Sequence, residues 1–147
     1  MTVSVPVASE PASVSAAADY RALADFRYHV RRFFAFSEET TKAAGVAPAQ
    51  YQAMLAIRAH DTTGPMSISV LAERLFIKLN SAVELVQRLE TAGMVERTRS
   101  KRDNRRVELT LTALGGLMVE RLAALHLDEH RRGLTELARI VSELGVF

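Results

Sequence analysis

Val107, Leu109 and Leu111 alternate with Glu108 and Thr110, a period of two, in a chain whose apolar residues elsewhere recur at three- and four-residue steps. Successive side chains of a strand face opposite sides, whereas residues three or four apart share a helix face. The switch therefore predicts a strand inside a mostly helical protein. Met94–Arg99 is the neighbouring segment suited to pair with it. The connection between the two then falls within RTRSKRDNRR, residues 97–106. Asp103 and Asn104 supply turn chemistry there, because both side chains bond nearby backbone groups and tolerate unusual backbone angles.

Ahead of the hairpin the spacing is helical. Tyr20, Leu23, Phe26, Val30, Phe33 and Phe34 predict a first helix from Asp19, as its N-cap, to about Ala44, stopped by Gly45. Pro48 suits the first turn of a second helix, which carries Tyr51, Met54, Leu55 and Arg58 up to the DTTGP break at 61–65. Ser67 caps a short third helix with Ile68, Leu71, Ala72 and Leu75 inward, and a fourth follows closely. Its first turn begins anywhere from 78 to 81, because Ser81-Ala-Val-Glu84 fits a capping box. Beyond the hairpin, Thr112 opens a helix through Leu114, Leu117, Met118, Leu122 and Leu125. Gly133 is the expected joint to a last helix bearing Leu134, Leu137, Ile140, Val141 and Leu144.

With 147 residues, 48% of them hydrophobic, the chain suits one globular domain with extensions. The absence of cysteine excludes disulfides, thiolate nucleophiles and cysteine metal sites. Residues 1–18 are expected to be a flexible tail: they lack the basic start of a signal peptide and are interrupted by Pro6 and Pro11. No uninterrupted apolar run of membrane-spanning length occurs, so no membrane partner and a cytoplasmic location are expected. No phosphate loop, nucleophile motif or metal set marks an enzyme, so no catalytic residue, cofactor or metal site is expected. His126 and His130 are four apart but have no evident third ligand, and are read as a solvated or dimer-facing pair. The Phe-rich first helix and the C-terminal helices carry more apolar surface than a small central domain covers, which implies a homodimer.

Two short helices with a tight link, followed by a hairpin, are the parts of a winged helix-turn-helix, which makes the fourth helix a candidate groove reader. On a wheel of about 100° per residue, Leu79, Ala82, Val83, Val86 and Leu89 gather on one side, with Leu85 on its shoulder. Asn80, Ser81, Glu84, Gln87, Arg88 and Thr91 occupy the other, a hydrogen-bonding face that suits base edges in a major groove. Glu84 and Arg88 also match an i, i+4 ion pair that forms without DNA. Net charge is only +2, so the evidence for a polyanion partner lies in placement. Arg97, Arg99, Lys101, Arg102, Arg105 and Arg106 are six of the nineteen basic residues, and Asp103, Glu96 and Glu108 cannot neutralise them all. Free cations on a protruding hairpin suit phosphates, and an arginine at its tip suits a narrow minor groove.

Residues 71–115, LAERLFIKLNSAVELVQRLETAGMVERTRSKRDNRRVELTLTALG, resemble the MarR family of bacterial transcriptional regulators. The likeness is carried by the LAERL helix, the RLE-x-x-G-M-V-x-R helix exit and the D-x-R…LT-x-x-G wing, the last on Asp103, Arg105, Leu111, Thr112 and Gly115. It implies a mainly α fold with a β-hairpin wing and N- and C-terminal dimerisation helices. The divisions are a dimerisation helix at 19–46, a DNA-binding lobe at 47–112 and dimerisation helices at 113–147. It further implies a homodimer on pseudo-palindromic double-stranded DNA, more often a repressor, whose affinity a small-molecule effector modulates. Asn80, Ser81, Glu84 and Arg88 fall at recognition-helix positions, Lys78 at a phosphate contact, Arg105 at the minor-groove residue, and Asp103 where it orients basic side chains of the wing. Tyr28, His29, Arg32 and His60 are the candidate ligand-pocket residues, suited to an aromatic acid or similar anion. Two positions depart from the pattern: Glu84 replaces a residue often basic or small, and Phe76 stands where many relatives have glycine. Because Phe disfavours positive φ, that turn is expected to use another geometry. The competing class is a winged-helix protein-interaction module without DNA binding, since a fold alone does not determine function.

Overall fold

The computed structural model describes residues 17–145. In chain order they form α1 (Ala17–Ala43), α2 (Pro48–His60), β1 (Met66–Ser67), α3 (Ile68–Leu75), α4 (Leu79–Thr91), β2 (Val95–Arg99), β3 (Val107–Leu111) and α5 (Ala113–Glu143). Most of the expected tail, residues 1–16, lies outside the described residues, and Ala17 and Ala18 are helical. Asp19 consequently sits in the first turn of α1 instead of capping it. An acidic side chain still favours the positive end of the helix there.

Local chemistry sets most boundaries. Gly45, at φ 76°, closes α1: its N–H donates to Lys42 O at 3.0 Å, and the Val46 N–H reaches back to Thr41 O at 3.0 Å. Pro48 opens α2, where Gln50 Oε1 accepts from the Ala47 N–H at 2.9 Å. Ser67 caps α3 by accepting from the Val70 N–H at 3.2 Å, and Thr112 caps α5 by accepting from the Gly115 N–H at 3.1 Å.

The sheet has the order β1-β3-β2, both pairings antiparallel. Leu109 at its centre faces Met66 on one side and Arg97 on the other. β1 is only two residues long, too short for any periodicity to announce it. The sheet covers a core built from Tyr51, Met54 and Ile57 of α2, Leu71 of α3, Leu85, Val86 and Leu89 of α4, and Val119 and Leu122 of α5. Each buried leucine or isoleucine contributes about 1.5–3 kcal/mol relative to exposure.

The C-terminal region is one helix, α5, which runs through Gly133 without the expected joint. A glycine inside a helix costs about 1 kcal/mol relative to alanine, too little to break a long helix. The surrounding turns also carry supporting pairs: Arg132 with Asp128 at 2.9 Å, and Arg139 with Glu136 at 2.6 Å and with Glu143.

α5 packs along α1, and His126 lies at the junction, 4% exposed. Its Nδ1 is 2.7 Å from Leu122 O and its Nε2 is 2.9 Å from Ser37 Oγ, while its ring stacks on Tyr51 with centroids 4.6 Å apart. The expected solvated or dimer-facing histidine pair is thus divided. His126 is a core residue satisfied within its own chain, and the exposed His130 rests its ring against Phe33 at 4.5 Å.

Candidate nucleic-acid interface

The link from α3 to α4 turns on Phe76, whose φ of 54° and ψ of 41° are left-handed, contrary to the expectation that a bulky residue forces another geometry. The conformation costs about 1–2 kcal/mol. Set against it are the Phe76 N–H donating to Glu73 O at 3.2 Å, the Ile77 N–H donating to Ala72 O at 3.1 Å, and Ile77 packed against the core. The Phe76 ring is 67% exposed, so the strained backbone forces no bulk into the core.

α4 begins at Leu79 after Lys78, with no side-chain cap, so the Ser81 capping box does not form. Ala82, Leu85, Val86 and Leu89 face inward. The buried stripe is turned toward Leu85 and away from Leu79, which is 52% exposed, and Val83 is only half-buried. Asn80, Ser81, Glu84, Gln87 and Arg88 are all exposed, as is Lys78. The expected Glu84–Arg88 ion pair is not formed among the described residues. Both side chains instead border a shallow depression with Gln87, Thr91 and Ala92.

The wing is built beside this face. Ser100, buried at the top of the hairpin, donates its N–H to Arg106 O at 2.9 Å, and its Oγ accepts from the N–H groups of Arg102 at 3.2 Å and Asp103 at 3.3 Å. Asp103 Oδ1 accepts from the Arg105 N–H at 3.0 Å. Asp103 therefore shapes the turn through backbone. Among the described residues no ion pair joins it to a basic side chain, so the expected orientation of wing cations is not made that way. Arg99, Lys101, Arg102, Arg105 and Arg106 are exposed and have no ion-pair partner among the described residues. Arg97 differs: its Nε lies 2.5 Å from Glu90 Oε1 at the end of α4, tying the wing to the helix. Sequence reasoning considered only acids within the hairpin and missed Glu90. It also missed Ser100, whose spacing to Asp103 matches a Ser-headed turn.

The wing root is fixed to α5 at close range. Gly93, at φ 73°, ends α4, and the Met94 N–H reaches back to Leu89 O at 2.9 Å. Thr112 donates its hydroxyl to Gly93 O at 2.6 Å and its N–H to Met94 O at 3.0 Å. The basic hairpin and the polar helix face are in this way held as one unit.

The four candidate ligand residues do not converge. His29 and Arg32 line a groove of about 730 Å³ between α1 and α5, with Phe26, Phe33, His130 and Leu134. Tyr28 stands outside that lining, its ring edge-on to His29 at 5.5 Å. His60 ends α2, where the hydroxyl of Thr63 lies 3.4 Å from its Nδ1. His130 is the lining residue that sequence reasoning placed elsewhere. No helix among the described residues is long and apolar enough to cross a membrane.

Residues 44–106 match the model of the MarR family. The chain is similar to the HTH-type transcriptional repressor MdtR of Bacillus subtilis (strain 168), 30% identical over 86 residues that cover 58% of this chain and 54% of the relative. It is also similar to the organic hydroperoxide resistance transcriptional regulator of that organism, 31% identical over 72 residues covering 49% and 47%. The chain spans about half the length of the curated relatives it matches. In fold it is similar to the S. aureus MepR–DNA complex, with a TM-score of 0.65, 19% identity, and coverage of 76% of this chain and 78% of the other.

Proposed function

We propose that this chain, whose residues 44–106 match the model of the MarR family, is a MarR-family, sequence-specific regulator of transcription that binds double-stranded DNA as a homodimeric repressor. The observation that carries the proposal is the pairing of an exposed hydrogen-bonding face on α4 with an exposed basic wing rigidly attached beside it. Asn80, Ser81, Glu84, Gln87 and Arg88 have the donors and acceptors for base edges, and Lys78 suits a flanking phosphate. Arg99, Lys101, Arg102, Arg105 and Arg106 supply sequence-independent attraction, with Arg105 the residue for the minor groove.

Dimerisation is supported by exposed apolar side chains on the two long helices, among them Tyr20, Leu23 and Phe34 of α1 and Leu117, Leu125 and Leu134 of α5. Two copies related by a two-fold axis present two α4 helices, so the target is a pseudo-palindrome with half-sites about one duplex turn apart. The repressor role is supported by the name of the MdtR relative. An effector is supported by the groove at His29 and Arg32, whose imidazole and guanidinium, beside apolar Phe26, Phe33 and Leu134 and the carboxylates of Glu129 and Glu136, suit an aromatic ligand with polar groups. Such a ligand changes DNA affinity only by its differential affinity for two spacings of the lobes.

The test is gel-shift titration with duplexes selected from genomic fragments, using the parent, Arg88→Ala and Arg105→Ala. Sequence-selective binding weakened in both variants is expected. Undiminished binding by both, or no binding by the parent at low salt, would overturn the proposal.

A further inference from the structure

The inner stripe of α4 does not include Leu79. Its side chain, half exposed at the first residue of the helix, lies between exposed Lys78 and exposed Asn80, and Val83 one turn later is itself only half-buried. These two residues give the reading face an apolar edge beside the exposed carboxylate of Glu84 and the amide of Asn80. An apolar group standing among donors and acceptors that suit base edges matches one feature of the major groove, the C5-methyl of thymine. We infer that Leu79, assisted by Val83, is a specificity-determining residue that selects thymine by packing on that methyl group.

The inference rests on the DNA-binding function proposed above. The occupant is set by surroundings: the apolar edge is continuous with the hydrogen-bonding face of α4, and the same lobe carries Lys78 and wing cations that have no ion-pair partner among the described residues, which favour a polyanion. Leu79 lacks any hydrogen-bonding group, so its discrimination is against the loss of a methyl, not against a wrong donor pattern. Burying one methyl group corresponds to about a fourfold change in affinity.

The experiment begins with duplexes selected by the full-length protein from a random-sequence library. Each thymine of the selected site is then replaced in turn by deoxyuridine, which deletes the methyl and leaves the pairing edge intact. The parent is expected to lose about fourfold in affinity at one or two positions of each half-site, and Leu79→Ala to be indifferent to the same replacements. Leu79→Gln provides a second readout: repeated selection is expected to move the preference at that base pair toward adenine recognition, since Gln can pair with the adenine edge. Equal binding of all deoxyuridine duplexes by the parent, or unchanged methyl sensitivity in Leu79→Ala, would overturn the inference while leaving DNA binding intact. Failure of the parent to select any sequence would instead remove the DNA-binding proposal and this inference with it.

Discussion

A β-carbon on Gly115 would lie 2.0 Å from the carbonyl oxygen of Met94, so the start of α5 and the root of the wing meet backbone to backbone. Thr112 maintains the approach by bonding to both Gly93 O and Met94 O. The glycine that closes the LT-x-x-G motif is thereby given a reason unrelated to DNA contact: only hydrogen fits.

Gly115→Ala is accordingly expected to destabilise the protein by about 3 kcal/mol or more, because the obstruction is main chain and cannot rotate away. Urea denaturation gives the value, and a midpoint equal to the parent's would show that the junction can yield.

Gly133 presents the opposite case. It lies inside α5, and an added β-carbon meets nothing within 4 Å. Gly133→Ala should raise stability by about 0.5–1 kcal/mol, mainly by reducing the freedom of the unfolded chain. A lower melting temperature would instead restore the joint expected from sequence.

The contrast between these glycines shows what periodicity conveys. The hairpin, its paired strands and the inward face of α3 follow from residue spacing alone, because period two and period three-to-four place side chains on different surfaces. In α2 the spacing found Tyr51 and Met54 but passed over the buried Ala53 and Ile57 in favour of the exposed Arg58. Spacing says little about partners distant in sequence. Ser37 and His126 are 89 positions apart, so their bond left no local signal. Arg97 finds Glu90 outside the hairpin for the same reason. Phe76 shows the other limit: residue preference made a left-handed turn unfavourable, and tertiary packing of Ile77 overrode it. At the start of α4, the wheel assigned Leu79 inward, yet Leu79 is 52% exposed while Ala82, three residues on, is fully buried.

The Ser37–His126 bond joins α1 to α5. Leu122 O can only accept, so Nδ1 donates to it, and the contact of Nε2 with the Ser37 hydroxyl completes the hydrogen bonding of the buried ring. Ser37→Ala should cost about 1–3 kcal/mol by leaving a buried nitrogen unmatched. Added to His126→Phe, it should cost much less, a non-additivity that a double-mutant cycle measures. Strictly additive costs would refute a direct contribution from this bond.

Tyr51 supplies a pH prediction. Burial raises its phenol above the usual tyrosine value, because the ionised form is poorly solvated beside His126. With the folded value above the unfolded one, this contribution is complete below about pH 10 and declines as pH rises through the folded value. Stability should therefore fall in alkaline solution more steeply for the parent than for Tyr51→Phe, which keeps the stacked ring. Parallel pH profiles from thermal melts would contradict the assignment.

Arg97 and Arg105 are both wing arginines, yet their surroundings assign them different work. Arg105 is exposed without an ion-pair partner among the described residues, whereas Arg97 is held by Glu90. A cation that neutralises one phosphate releases counterion, so its removal lowers the slope of log affinity against log salt by about 1. Arg105→Ala is expected to show that decrease with unchanged folding. Arg97→Ala should leave the slope closer to the parent's and lower stability by up to about 1 kcal/mol, through loss of its link to α4. Affinities measured across a salt series, alongside urea melts, distinguish the two. Equal slope changes in both variants would mean that DNA draws Arg97 away from Glu90, and the division of roles would be wrong.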